Sequence, residues 1–290
     1  MAILITGANG QVGQCFRQLA AQHPNRRFVF NDFPELDITA RKAVIEFFRR
    51  EKGIKWCINC AAYTAVDKAE SEPALARKIN VTGPKHLAEA CAAHGIPLVH
   101  LSTDYVYHNR QNTPFRESDP VSPKSVYART KLAGDRAVLK ANPFAIVVRT
   151  SWVYSEFGNN FVKTMLRLGA ERSELNVVFD QIGTPTYAPD LAAAILLMIQ
   201  KVENKDVAPE TAAGIWHFSN EGVTSWYDFA HAIFEIKKMA CRVHPIDTKD
   251  FPTPARRPPF SLLNKGKIKA VFGLEIPHWR ERLAVCLGKI

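Results

Sequence analysis

The sequence of 290 residues contains no long apolar run, and none of its stretches reaches the roughly 18 apolar residues that a bilayer span requires. Its beginning shows no basic segment followed by an apolar core and a cleavage site, so we expect no signal peptide. Internal repeats and low-complexity stretches are also missing. The sequence therefore predicts a cytoplasmic protein that has no membrane partner.

Metal-binding patterns are equally scarce. The nine histidines show no ligand spacing, and the only C-x-x-C motif lies in "IKWCINCAA", between Cys57 and Cys60. That stretch is typical of a buried strand, in which residues three apart point to opposite faces. No second cysteine pair completes a zinc site. We therefore predict no metal ion and expect the cysteines to be reduced and mostly buried.

The charge balance is strongly basic, with a formal net charge of +10 and a pI near 9.4. Basic residues are denser in "ARRPP" (255–259) and "NKGKIK" (264–269), but no helix-turn-helix, zinc-finger or RNA-binding signature accompanies them. Nucleic acid is therefore not an expected partner. A basic surface that attracts a small anionic substrate fits the sequence better.

The first 150 residues alternate short apolar runs with longer amphipathic ones. Strands are predicted at 2–6, 27–31, 55–62, 97–102 and 144–150. Helices are predicted near 11–22, 39–52, 72–94 and 124–141. Apolar strands that alternate with helices indicate βαβ units and a parallel sheet covered on both faces, which is a doubly wound α/β fold.

The pattern loosens after residue 150. We expect a helix near 158–169, a strand at 176–179, a helix in the second half of 180–200, another strand at 214–220 and a helix at 225–238. The predicted dinucleotide-binding domain comprises 1–155 and 183–220. A smaller substrate-binding lobe would comprise 156–182 and 221–290.

A glycine-rich turn lies between the first strand and the first helix, in "ITGANGQVGQ". Gly7, Gly10 and Gly13 allow a tight turn and a close approach of pyrophosphate to the helix N-terminus. The residues between them, Asn9, Gln11 and Val12, would contact the same cofactor. This context predicts dinucleotide binding.

The cofactor preference stays open between NADPH and NADH. Asp32 follows the second strand, about 20 residues after the glycines, where an acid accepts hydrogen bonds from the adenosine ribose and favours NADH. Three arginines could instead meet a 2′-phosphate: Arg17, Arg26 and Arg27.

Candidate catalytic residues follow the fourth predicted strand and begin the fourth predicted helix. Ser102, Thr103 and Asp104 lie at the carboxyl end of a strand, where ligands of doubly wound sheets bind. Tyr127 and Lys131 in "SPKSVYARTKLAG" are four residues apart, so both side chains lie on one helix face. A phenol beside an ammonium is a plausible proton donor, because the cation favours the phenolate.

These motifs together resemble the extended short-chain dehydrogenase/reductase family, whose core is a Rossmann-type doubly wound sheet. Six further stretches resemble its reductases that act on the 4-keto group of dTDP-linked deoxysugars: "NCAAYTAVDKAE", "INVTGPKHLAEA", "STDYVY", "RTSWVY", "DQIGTPT" and "ARRPPFSLLN". The resemblance covers nearly the whole chain in order. It implies the reduction of dTDP-4-dehydro-L-rhamnose by NADPH or NADH.

The resemblance also implies residue roles. Tyr127 would donate a proton, Lys131 would lower the pKa of Tyr127 and hold the nicotinamide ribose, and Thr103 would bind the carbonyl oxygen. Further residues would line the cofactor: Asp37, Ile38, Ala61, Ala62, Tyr63 and Thr64. Others would contact the sugar or the diphosphate: Val66, Asp104, Tyr105, Trp152, Gln181 and Arg257.

Other members of the same fold remain as alternatives. Sugar-nucleotide 4,6-dehydratases carry an Asp-Glu pair after the threonine, whereas this chain has Asp104 and Tyr105. Related C4-epimerases have a larger C-terminal lobe. A non-catalytic NADP-binding subunit, like the β-subunit of methionine adenosyltransferase, is the alternative from a different class, although the intact Thr103, Tyr127 and Lys131 favour an enzyme.

A homodimer stays open as an assembly. Some family members bridge two subunits with magnesium, using acidic residues that include one in the first helix. Gln14 and Cys15 stand in that region here, which argues against such a metal site.

Overall fold

The computed structural model describes residues 2–290, and its centre is a six-stranded parallel sheet. The strand order is β2-β1-β3-β4-β5-β10. The strands are β1 (Ala2–Thr6), β2 (Arg27–Asn31), β3 (Ile54–Asn59), β4 (Leu98–Thr103), β5 (Ile146–Thr150) and β10 (Gly214–His217). The expected doubly wound parallel sheet is confirmed.

Helices cover both faces of this sheet. They are α1 (Gln11–Ala20), α2 (Arg41–Arg50), α3 (Pro73–Arg77), α4 (Gly83–Ala93), α5 (Val126–Ala141), α7 (Ala188–Glu203) and α8 (Pro209–Ala212). One apolar cluster joins α1 and α7 to one face, and a second joins α2, α4 and α5 to the other. Burial on both faces explains why the first four residues of β1 and the first three of β5 are apolar.

The helix predicted near 72–94 is interrupted. A π-helical turn, Lys78–Thr82, separates α3 from α4. Pro84 has no N–H to donate to the carbonyl of Asn80, so the regular helical bond cannot form at this point. The side chain of Asn80 is buried and binds the backbone of Tyr63 on both sides, through N–H···Oδ1 at 2.8 Å and Nδ2–H···O at 3.1 Å.

The remaining elements form a smaller body around a third apolar cluster, which we call the lobe. It contains α6 (Phe161–Glu171), β7 (Glu174–Val178), α9 (Trp226–Lys237), β12 (Arg242–Ile246) and α11 (Trp279–Leu287). Strands β7 and β12 pair in parallel. The sequence did not predict β12, because "RVHPI" is a short segment with two polar residues and a proline, which disfavours strand prediction.

Short strand pairs and one further helix connect the lobe to the main sheet. They are β6 (Val153–Tyr154) with β9 (Thr186–Tyr187), β8 (Ile182–Gly183) with β11 (Thr224–Ser225), and α10 (Gly266–Phe272). Strand β10 is shorter than predicted, but it lies beside β5 in the main sheet.

All six cysteines are free, and only Cys60 is not fully buried, which confirms the prediction made for this residue type. None of the helices within residues 2–290 combines the length and apolar character that a membrane span requires. Within the same residues, no group of three or more histidine, cysteine, aspartate or glutamate side chains could hold a metal ion.

Candidate active site

The glycine turn leads from β1 into α1 at the point where the strand order reverses, between β1 and β3. Gly7 has a φ of +67°, and a side-chain Cβ there would lie 2.5 Å from the backbone nitrogen of Ala61. A Cβ at Gly13 would lie 2.4 Å from the carbonyl oxygen of Gly7. Both positions therefore require glycine, and the open helix N-terminus fits a pyrophosphate group.

Asp32 folds back onto the glycine turn. Its carboxylate accepts hydrogen bonds from the backbone N–H groups of Asn9 and Phe33, both at 2.8 Å. The guanidinium of Arg17 lies nearby, 4.5 Å from the centre of the Phe30 ring. An acid and a cation thus stand at the same end of β2, and the cofactor preference stays open.

Asp37 and Ile38 lie apart from the cavity at this edge. The carboxylate of Asp37 accepts bonds from the N–H and hydroxyl of Thr39, which lowers its pKa and closes the turn before α2. The side chain of Ile38 is buried against Gly83. Their predicted contact with the cofactor stays a prediction, and for Ile38 it is limited to the backbone.

The segment after β3 forms the floor of the cavity. Ala62 and Thr64 line it, while Ala61 packs against the glycine turn. Tyr63 points away, since its hydroxyl donates to Glu72 at 2.6 Å. Its backbone, however, is held by Asn80, so a single buried amide fixes the course of this segment.

Thr103, Tyr127 and Lys131 line a single cavity of about 600 Å³ together with Gly7 and Gly10. Thr103 ends β4, while Tyr127 and Lys131 lie on the first turns of α5, whose N-cap is the hydroxyl of Ser125. The cavity therefore brings together the two motifs that the sequence analysis linked, which are about 100 residues apart.

Other predicted residues line this cavity as well: Gln11, Val12, Val66, Asp104, Tyr105 and Trp152.

The Tyr127 hydroxyl has a raised pKa in this structure and stays protonated at neutral pH. Burial raises its pKa to about 12, and the nearby Thr103 hydroxyl acts in the opposite direction. The Lys131 ammonium donates to the carbonyl of Leu101 at 2.6 Å, and its predicted effect on the pKa of Tyr127 stays a prediction. Burial lowers the pKa of Lys131 itself to about 8.

Asp104 is a buried carboxyl group beside Thr103. Burial raises its pKa to about 7, and its Oδ2 has no hydrogen-bond partner. Tyr105 lies edge-on to Tyr127, with ring centres 5.9 Å apart. An acid, a phenol and a hydroxyl therefore lie close to Tyr127.

The two residues predicted for the diphosphate differ in position. Arg257 forms a bidentate ion pair with Asp67, at 3.0 and 2.6 Å, and so connects the lobe to the segment after β3. Gln181 is buried and its amide donates to Thr248 at 3.1 Å. Neither lines the cavity, and only Arg257 has an exposed side from which it could reach an anion.

The sequence analysis missed Trp226, which stacks on Trp152 with ring centres 3.6 Å apart and an angle of 11°. Trp152 has a φ of +47°, and its indole lies against Gly183, where a Cβ would be 2.9 Å away. Trp226 comes from the start of α9 and also lines the cavity. No local signal marks it, since an aromatic residue on a helix is usually core.

The loop before α6 was also missed. Gly158 and Asn159 line the cavity, and the side chain of Gln11 holds this loop by accepting bonds from Ser155 and Asn160 at 3.1 and 3.0 Å. The first residue of α1 thus connects the glycine turn to a loop about 150 residues away in sequence.

Comparison with known proteins identifies the family. The model of the RmlD substrate binding domain family matches residues 1–290. The chain belongs to this family. A curated relative, the dTDP-4-dehydrorhamnose reductase of Sinorhizobium fredii, is 42% identical over 285 residues, which cover 97% of this chain and 95% of the relative.

Two solved structures are similar over the whole chain. The dTDP-4-dehydrorhamnose reductase of Clostridium acetobutylicum has a TM-score of 0.92 and 42% identity, and the match covers 100% of this chain and 99% of that one. The enzyme of Bacillus anthracis, solved in complex with NADP, has a TM-score of 0.90 and 37% identity over 100% and 99% of the chains. The predictions of an oxidoreductase, of this reductase family and of a Rossmann-type fold are confirmed.

Proposed function

We propose that this chain reduces the C4 ketone of dTDP-4-dehydro-L-rhamnose with NADPH or NADH and forms dTDP-L-rhamnose, the last step of dTDP-rhamnose biosynthesis. The observation that carries the proposal is the convergence of Thr103, Tyr127 and Lys131 beside a glycine turn in one cavity. The names of the relatives and the NADP bound to the Bacillus anthracis enzyme support the substrate and the cofactor.

Bound NADPH or NADH supplies the hydride to the carbonyl carbon. The hydroxyl of Tyr127 donates the proton to the carbonyl oxygen, and with a pKa of about 12 it carries that proton at neutral pH. Thr103 donates a hydrogen bond to the same oxygen, where negative charge develops in the transition state. These two hydroxyls are the preorganised donors of the reaction.

Lys131 has two tasks in this proposal. One ammonium N–H binds the Leu101 carbonyl, which leaves two for the ribose hydroxyls of the cofactor. Its positive charge also stabilises the phenolate that remains on Tyr127 after proton transfer. The electrostatic support therefore acts on the product of the proton transfer more than on the resting phenol.

The sugar would lie between the catalytic residues and the aromatic wall. Val66, Asp104, Tyr105 and Trp152 surround that space, and Trp226 extends its apolar side. Arg257 is the candidate for the diphosphate, because a guanidinium binds phosphate oxygens in a bidentate manner and this one already binds a carboxylate so. Gln181 supports the loop around Thr248.

The test measures oxidation of NADPH and of NADH in the presence of dTDP-4-dehydro-L-rhamnose. Turnover is expected, and Tyr127→Phe should lower kcat by about 10²–10⁴-fold, since it removes a positioned proton donor. Tyr227→Phe, at a half-buried ring on α9 outside the cavity, is the matched control and should retain wild-type turnover.

Absence of turnover with either cofactor, together with intact cofactor binding, would contradict the reductase and favour a binding subunit. Turnover that survives Tyr127→Phe would contradict the assigned proton donor.

A further inference from the structure

A buried group of charged and polar side chains lies behind Lys131, and the mechanism above does not use it. It consists of Asp135 on α5, Arg149 on β5 and His100 on β4, each at most 2% exposed. Asp135 follows Lys131 by four residues, so both side chains lie on the same buried face of the helix. Three ionisable side chains without solvent need a physical explanation.

Lys131 is a buried cation without a direct ion pair. It is 2% exposed, its only hydrogen bond goes to the Leu101 carbonyl, and no carboxylate within the described chain lies in salt-bridge distance of it. Taking an ammonium out of water is costly unless an opposite charge is near. The nearby thiol of Cys60 cannot serve, because burial raises its pKa and keeps it neutral.

Asp135 is the carboxylate that faces this cation. Its Oδ2 accepts a hydrogen bond from Nε of Arg149 at 3.3 Å, while its Oδ1 has no hydrogen-bond partner. Burial raises the pKa of Asp135, and the charges of Arg149 and Lys131 act against that rise. Arg149 is in turn fixed by the hydroxyl of Tyr107 at 2.7 Å.

His100 adds a dipole and no charge. Burial lowers its pKa far below the usual range, so the ring is neutral. Its Nδ1 lies 3.0 Å from Nδ2 of Asn59, which can only donate, so the ring proton is on Nε2. Nε2 lies 4.0 Å from Oδ1 of Asp135, the oxygen that Arg149 leaves free, and this distance is too long for a hydrogen bond.

Close packing fixes the distance between α5 and the π-helical turn. A Cβ at Gly134 would lie 2.1 Å from the carbonyl oxygen of Asn80, so α5 can approach the π-helical turn only because this residue is glycine. Lys131 and Asp135, on either side of Gly134 in sequence, therefore cannot move outward together without opening this contact.

We propose that Asp135 is a positioning residue for the reaction, and that its buried carboxylate, oriented by Arg149, is the counter-charge that holds the Lys131 ammonium at the active site. This deepens the proposed function and rests on the role given there to Lys131. An ion pair with Arg149 that only stabilises the fold is the competing explanation.

The test is the pH dependence of the isosteric variant Asp135→Asn. Activity requires charged Lys131, so the wild type should lose kcat as the pH rises through about 8. Without the carboxylate, the Lys131 ammonium loses its proton more easily. The fall of kcat at high pH is the basic limb of the pH profile. We expect this limb to lie about one pH unit lower in the variant, so that kcat above that pH is roughly tenfold lower than in the wild type.

A second readout does not depend on the sugar substrate. The dissociation constant of NADPH, followed by its fluorescence from pH 6 to 9, should show the same downward displacement, because Lys131 holds the cofactor ribose. A displacement in binding without turnover of dTDP-4-dehydro-L-rhamnose would support this inference while contradicting the proposed function.

Three companion variants separate charge from stability. Asp135→Glu keeps the charge and should restore the limb to within about half a unit of wild type. Asp135→Asn combined with Arg149→Met also removes the buried guanidinium that the single substitution leaves unpaired, so it should fold and still shift the limb downward, because Lys131 again lacks its counter-charge. Asp190→Asn breaks a carboxylate–arginine pair with Arg282 on the lobe side of the molecule and should leave the limb in place.

The thermal midpoint of every variant is measured at each pH. A fall in midpoint for Asp135→Asn with an unchanged basic limb, in both turnover and NADPH binding, would overturn the proposal and leave Asp135 as a structural ion-pair partner.

Discussion

The cavity has two halves that differ in how the chain builds them. The cofactor half consists of the glycine turn and the segment 60–64, and it is shaped mainly by backbone that comes close because side chains are absent. The sugar half consists of side chains from distant segments, among them Asp104, Tyr105, Trp152 and Trp226. Backbone can be placed by glycine alone, whereas the sugar half needs buried polar groups and aromatic stacking, each with a cost in stability.

The largest expected effect concerns that cost, in the sugar half. Asp104 has a pKa of about 7 in the folded chain against 3.8 when unperturbed, because of burial. From about pH 4 to 7 the folded chain retains a proton that the unfolded chain releases, so stability from this group falls as the pH rises through that window. Asp104→Asn should therefore raise the unfolding free energy at pH 7.5 by up to about 4 kcal/mol.

Chemical denaturation at pH 4 and at pH 7.5 measures this effect. The gain in unfolding free energy from Asp104→Asn should vanish near pH 4, where Asp104 is protonated in both the folded and the unfolded chain. Asp206→Asn, at an exposed carboxylate paired with Lys201, is the control and should show no such pattern. Equal gains at both pH values would mean that Asp104 is not the group that carries the cost.

The next effect tests the cofactor half. Gly13→Ala introduces a Cβ 2.4 Å from the Gly7 carbonyl, and relief of such a contact typically costs about 1–3 kcal/mol. We expect the dissociation constant of NADPH to rise by about 10–100-fold, measured by cofactor fluorescence, while that of dTDP-L-rhamnose, measured by calorimetry, changes less than twofold.

Gly288→Ala provides the control, since its Cβ would meet neighbours at an ordinary 3.5 Å. If Gly13→Ala weakened both ligands equally, the two halves would not be separable.

The smallest expected effect is in the sugar half, where a substitution should weaken binding of the sugar and spare the cofactor. Arg257→Lys keeps the charge but loses the bidentate fork that now holds Asp67. The KM for the nucleotide sugar should rise about tenfold, the worth of one charge-assisted hydrogen bond, with kcat within twofold. Steady-state kinetics with the sugar varied at saturating NADPH measures it.

Arg280→Lys, which removes an exposed guanidinium bound to Glu235, should behave like wild type. A rise in the KM for NADPH in place of that for the sugar would put Arg257 in the cofactor half and contradict its assignment.

The cofactor half could be predicted from the sequence because each of its parts is local. Gly7, Gly10 and Gly13 lie within seven residues. The catalytic pair is equally local, since helical spacing alone puts Tyr127 and Lys131 on one face. The order of strands and helices then followed from the alternation of apolar and amphipathic runs.

The sugar half could not be predicted in the same way. Arg257 meets Asp67 across 190 residues of sequence, and Trp226 meets Trp152 only because Gly183 and the two short strand pairs bring the lobe against β5. Asn80 is a polar residue in a predicted helical stretch, and the π-helical turn that gives it a role depends on contacts with Tyr63 and Gly134. Tertiary contacts of this kind leave no periodic signal.

The most direct test of the central claim follows the hydride. The protein is incubated with dTDP-4-dehydro-L-rhamnose and NADPH that carries deuterium at both C4 positions of the nicotinamide, and the product is analysed by NMR. Reduction of the C4 ketone predicts one deuterium at C4 of the rhamnosyl ring, with none in the product formed from unlabelled cofactor. Deuterium at another carbon, or NADPH oxidation without transfer to the sugar, would contradict the account.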